Sequence, residues 1–140
     1  SAGMYDSAAE DLGKVFVSTE LGGGGTSTAS SNAIAKKGIS NLLIHAGILH
    51  GELEVAESQM LDMPDADCFV FSETDGLFEA MVNLGDMVKK GDLIARVWPI
   101  DRTGVKPLHY YAKRDGMLTS RHFPGLIQTG DCLSVVATLV

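Results

Sequence analysis

The sequence predicts an α+β protein built in two unlike parts. Three observations lead there. Residues 1–50 carry apolar residues at helical spacing around one short β-type run. Residues 68–140 carry two copies of one β pattern. Residues 51–67, "GELEVAESQMLDMPDAD", hold six acidic side chains and no basic one, so they read as an acidic connector.

In chain order, "YDSAAEDLG" places Tyr5, Ala8, Ala9 and Leu12 on one helical face, with Gly13 as the C-terminal cap. "KVFVST" (14–19) reads as a short buried strand, ending at the carboxylate of Glu20. The loop Gly22–Gly25 follows. It is costly to order, because each glycine loses more backbone entropy than any other residue. "STASSNAIAKKGISNLLIHAG" then sets Ile34, Gly38, Ile39, Leu42, Leu43 and Ala46 at helical spacing, and Gly47 stops that helix. A mid-helix Gly38 costs about 1 kcal/mol against alanine, which predicts close packing there, against a sheet.

The β part repeats itself. "DGLFEAMVNLGDMVKKGDLIARV" (75–97) and "DGMLTSRHFPGLIQTGDCLSVV" (115–136) each open Asp-Gly, run through a strand, turn at a hydrophobic-x-x-Gly-Asp motif and enter a second apolar strand. Val88-x-x-Gly91-Asp92 matches Ile127-x-x-Gly130-Asp131. Two such half-units bury their apolar faces only against each other, which predicts a mostly closed β sandwich or barrel with pseudo-two-fold symmetry. Tyr110 and Tyr111 fall in the crossover between the half-units, where packing is the expected role and reach to an active-site mouth the alternative.

The totals bound the function. The 140 residues are 45% hydrophobic and 21% charged, in the range of a globular protein. A net charge of −7 argues against nucleic acid, which needs clustered Lys and Arg. No apolar run reaches the ~20 residues of a membrane span. Cys68 and Cys132 read as free core thiols, suited to a reducing cytoplasm. The Ser-Ala start, without an initiator Met, leads us to expect a fragment of a longer protein.

Several motifs lead elsewhere and stop. The paired half-units resemble biotinyl and lipoyl carrier domains, but the tip "WPIDRTG" offers no acceptor lysine. "HGELE" (50–54) begins like a His-x-x-Glu zinc motif, yet Leu53 stands three residues after His50 and Glu54 comes one too late. His45, His109 and His122 do not pair at ligand spacing. The glycine loop runs into a helix N-terminus without the Lys of a P-loop, and Glu20 beside it would repel a phosphate.

One resemblance ties these pieces together. "VSTELGGGGTSTASSNAIAKKGISNLLIHAGIL", with "DCFVFSETDGLFEAMVNLGDMVKKGDLIARV" and "DGML…GDCLSVVATLV", resembles the C-terminal part of the succinylglutamate desuccinylase/aspartoacylase family, nearest its bacterial Nα-acetyl-diaminobutyrate deacetylase-like members. The resemblance implies that residues 1–50 are the C-terminal remnant of a zinc-carboxypeptidase-like α/β domain. It implies that residues 68–140 are a barrel-sandwich-hybrid-like β domain. The implied activity is zinc-dependent hydrolysis of an N-acyl amino acid. Residues 1–50, deprived of their sheet partners, should expose an apolar face, so a homo-oligomer is expected, while the cytoplasmic setting rests on the free thiols. The family's Glu-x-Gly carboxylate, a general base, falls on Glu20. Its zinc ligands fall upstream, so the implied cofactor is zinc with no ligand in this chain, and the piece alone is expected to be inert.

Overall fold

In the computed structural model, residues 3–140 are described. The chain divides after Ala56 into two compact units.

The first unit holds two helices, α1 (Tyr5–Asp11) and α2 (Ala29–His45). The start of α2 is written locally. Thr28 Oγ1 accepts from Ser31 N at 3.0 Å and Ser31 Oγ accepts from Thr28 N at 3.0 Å, a reciprocal box that satisfies two backbone donors. Its end is local too: Gly47 N donates to Ile44 O and Ile48 N to Leu43 O, the paired bonds of a Schellman close. Gly13 and Lys14 close α1 in the same way on Glu10 O and Ala9 O. The C-terminal ends of both helices therefore agree with the sequence reading.

Two expectations for this unit fail. Residues 14–19 form no strand; Val15 is 97% exposed and Val17 is 67% exposed. A strand exists only through hydrogen bonds to a neighbour, and among the described residues none pairs with this run. Gly38 is not tightly packed either: a Cβ there would meet nothing within 4 Å. The first part of the acidic stretch is held to α2, since Asn41 Nδ2 donates to Glu54 O at 2.9 Å and Asn41 Oδ1 accepts from Glu54 N at 3.0 Å.

The second unit is all β apart from one 3₁₀ turn, Ala66–Cys68. Its strands are β1 (Leu61–Asp62), β2 (Phe69–Phe71), β3 (Gly76–Ala80), β4 (Met87–Val88), β5 (Leu93–Trp98), β6 (Leu108–Tyr111), β7 (Gly116–Arg121), β8 (Leu126–Ile127) and β9 (Cys132–Leu139). One sheet runs β1-β9-β7-β4 with β2 also on β9, and the other runs β6-β5-β3-β8. All pairs are antiparallel.

The repeat is real, and longer than the sequence pattern indicated. Strand β2 pairs β9 as β6 pairs β5, so the half-units are β2–β5 and β6–β9. Tyr110 and Tyr111 thus lie in a strand of the second half-unit, not in a crossover. The halves exchange short strands: β4 of the first pairs β7 of the second (Val88 opposite Gly116), and β8 of the second pairs β3 of the first (Gly76 opposite Ile127). Gly76 and Gly116 are required within each half, because a Cβ on either would collide with a backbone carbonyl of the neighbouring strand of the same half, Trp98 of β5 and Ala137 of β9 respectively. The Gly-Asp turns match as well. Gly91 N donates to Ala112 O and Gly130 N to Ser72 O, both at 2.8 Å. One core results, with Val70, Val88, Ile94 and Val97 from one half against Tyr110, Leu118, Ile127, Leu133 and Val136 from the other.

Candidate active site

Glu20 ends the run 14–20, which is neither helix nor strand, and the residue is exposed. The chain then turns through the glycines. Gly24 and Gly25 have φ of +62° and +65°, and Thr26 N closes the turn on Gly23 O at 3.2 Å. Positive φ at both central positions is the requirement of a type I′ turn, which glycine meets without strain. The Thr26 hydroxyl donates to the same carbonyl at 2.8 Å. Residues 26–28 then lead into α2.

These pieces enclose an open cleft of about 310 Å³, in which Glu20 is gathered with Thr19, Thr26, Thr28, Ser30 and Ser31. The cleft thus pairs one carboxylate with several hydroxyls at the start of a helix. A carboxylate can take and return a proton, and hydroxyls can hold polar atoms of a small molecule in place.

A larger cavity of about 630 Å³ lies in the same unit, lined by Val17, Leu21, Ile34, Ile39, Leu42, Leu53 and Val55. Its lining is mostly apolar, with Asn41 and His45 also on it and no carboxylate, which suits a packing face. The helical half of this face was legible from spacing. Leu53 and Val55 were missed, because they look like part of a solvated acidic run.

None of the other candidates lines the cleft that holds Glu20. His45 is exposed in the last turn of α2, where a cation suits the helix dipole, and His50 is exposed beyond it. His122 Nε2 lies 3.9 Å from Asp131 Oδ2. Among the described residues no three His, Cys, Asp or Glu side chains converge to hold a metal ion. Cys68 and Cys132 are free, and burial pushes the Cys132 thiol up from its ordinary value. No described helix is long and apolar enough to cross a membrane.

In the β unit, a cleft of about 390 Å³ lies between β2 and β6, lined by Ser72, Glu73, His109, Tyr110, Tyr111 and Lys113. Tyr110 is 7% exposed, and its hydroxyl accepts from Glu73 N at 3.0 Å, which makes it a packing residue. Tyr111 is 48% exposed, with its hydroxyl 3.4 Å from His109 Nδ1.

No family model matches the sequence. The N-alpha-acetyl-L-2,4-diaminobutyric acid deacetylase of Halomonas elongata is 51% identical over 139 residues, covering 98% of this chain and 41% of that protein. Among solved structures, the product-bound ectoine utilization protein EutE (DoeB) of Ruegeria pomeroyi is 66% identical with a TM-score of 0.94, covering 98% of this chain and 42% of that one. A succinylglutamate desuccinylase from a Silicibacter species is 62% identical with a TM-score of 0.92, covering 99% and 42%. The chain is a homologue of the succinylglutamate desuccinylase/aspartoacylase family. It matches the C-terminal part of these relatives and spans about two fifths of their length. At 30% identity, a succinylglutamate desuccinylase/aspartoacylase of Rhodobacter sphaeroides still shares the backbone, with a TM-score of 0.90 over 96% of this chain and 43% of its own.

Proposed function

We propose that the chain is the C-terminal portion of an N-acyl amino acid deacylase, which hydrolyses the amide bond of an N-acylated amino acid or related small amide. The observation that carries the activity is the 51% identity, over 98% of the chain, to a protein named a diaminobutyric acid deacetylase. In this reading Glu20 is the general base. Its carboxylate takes a proton from the attacking water as that oxygen bonds to the acyl carbon. It then delivers a proton to the amine as the C–N bond breaks, leaving a carboxylic acid and a free amine. Positioned proton transfer of this kind contributes about 10²- to 10⁴-fold. The exposed carboxylate, on the lip of a cleft and before a turn of small residues, supports that role.

Zinc is the cofactor implied by the resemblance, but the described residues offer no set of ligands for it. It belongs to this reading only through residues outside this chain. The chain by itself is accordingly inert. The exposed apolar face around α2 is covered in the longer protein, or by self-association where nothing else packs on it. Free cysteines fit a cytoplasmic setting.

The test is Glu20→Gln in the longer protein, with Nα-acetyl-2,4-diaminobutyrate as substrate. Glutamine keeps size and hydrogen-bonding reach but is not basic. We expect kcat to fall by about 100-fold or more, with thermal midpoint and metal content unchanged. Retained turnover would make Glu20 a loop residue, and a loss of stability in step with kcat would make it structural.

A further inference from the structure

Four glycines in a row should leave the backbone after Glu20 free to wander, since each has the widest conformational choice of any residue. The structure shows what restrains it. Within the glycine run the turn 23–26 is closed by Thr26 alone, which gives two hydrogen bonds to one acceptor: N–H to Gly23 O at 3.2 Å and Oγ1–H to the same oxygen at 2.8 Å. The hydroxyl thus adds a second, shorter bond to the closure made by the backbone. Two residues further on, Thr28 is fixed by the capping box of α2. The loop is thereby anchored to the helix at one end and drawn tight in its middle. Glu20 lies just before it.

We propose that Thr26 is a positioning residue for Glu20: its hydroxyl locks the glycine turn, and the locked turn holds the carboxylate at one place on the cleft. This rests on the assignment of Glu20 as base. Thr26 itself takes no part in proton transfer. Its contribution is to narrow the range of positions from which the carboxylate reaches the water, and small misplacements of a catalytic group lower rate without altering substrate affinity. Gly24 and Gly25 serve the same turn through their positive φ.

The experiment uses the longer protein and Nα-acetyl-2,4-diaminobutyrate, with Thr26→Val, Thr26→Ser and Glu20→Gln made side by side. Valine keeps the shape and the backbone bond and removes only the hydroxyl; serine restores it. Losing one hydrogen bond of this kind should lower kcat by about fivefold in the valine variant, with KM unchanged and serine returning most of the rate. An unchanged kcat, a loss confined to KM, or a serine variant as slow as valine would overturn the inference. If valine prevents folding, Gly25→Ala replaces it. That change strains the same turn from its centre and should give the same loss of kcat, whereas wild-type kcat would again overturn the inference. Full turnover by Glu20→Gln would instead overturn the assignment of the base, so the two failures are told apart.

Discussion

Asp75 shows how one side chain joins the two halves of the β unit. Its Oδ1 accepts from Thr129 N at 2.7 Å and from Thr129 Oγ1 at 2.9 Å, bonds that reach across 54 residues of chain. The matching aspartate, Asp115, accepts from Lys90 N at 2.8 Å. The backbone bond from Thr129, then its hydroxyl, holds the Asp75 carboxyl below its ordinary value of 3.8. The ionised form is thus favoured by folding, and its contribution is complete above 3.8 and lost as pH falls through the depressed folded value. Asp75→Asn should therefore lower the urea midpoint at pH 7, and the gap between variant and parent should close on acidification below 3.8. An equal gap at every pH would assign the effect to packing. Neither aspartate was legible as a turn-holder in the sequence, where each was only the first letter of an Asp-Gly pair, because its acceptor role depends on a turn in the opposite half. The place of Glu20 before a glycine turn was legible, because a carboxylate ahead of a glycine run is a local pattern.

Helix α2 and the run 14–19 contrast two kinds of element. The C-terminal end of α2 is set by Gly47, beside the bonds it makes, and the sequence sufficed to place it; the Thr28 and Ser31 box at its start is equally local but was not singled out in the sequence. The run 14–19 has the β-type composition but no partner among the described residues, so it forms no strand. Gly38 sharpens the point. It weakens α2 by about 1 kcal/mol relative to alanine, and nothing described comes near enough to require it. Gly38→Ala should raise the stability of the isolated chain by up to about 1 kcal/mol, read from helical circular dichroism on heating. In the longer protein the same change should lose stability, if that face is packed there as proposed. A gain in both settings would show that nothing packs on Gly38. Removing the cap by Thr28→Ala should cost the helix about 1 kcal/mol in either setting.

The exchange of β4 and β8 means that neither half-unit can finish its sheet or its core alone. Residues 57–140 should therefore melt in one transition, with near- and far-ultraviolet circular dichroism superimposing, while either half expressed separately should stay unfolded. Two separate transitions would refute that coupling. The first unit should behave differently. With Val15, Val17, Ile34 and Ile39 all exposed, it should bind a hydrophobic dye and associate with rising concentration, which sedimentation would detect. A chain that stays monomeric and dye-free at high concentration would contradict this.

The C-terminal limits of both helices, the paired Gly-Asp turns and the carboxylate before the glycines were all readable from residue order. Each rests on interactions or patterns a few residues long. Which strand lies beside which, the place of Tyr110 in the core and of Tyr111 on the cleft, and the failure of "KVFVST" to become a strand were settled only by tertiary structure. The physical reason is common to all of them: a hydrogen-bonded edge or a buried face needs a second surface, and that surface comes from residues far along the chain.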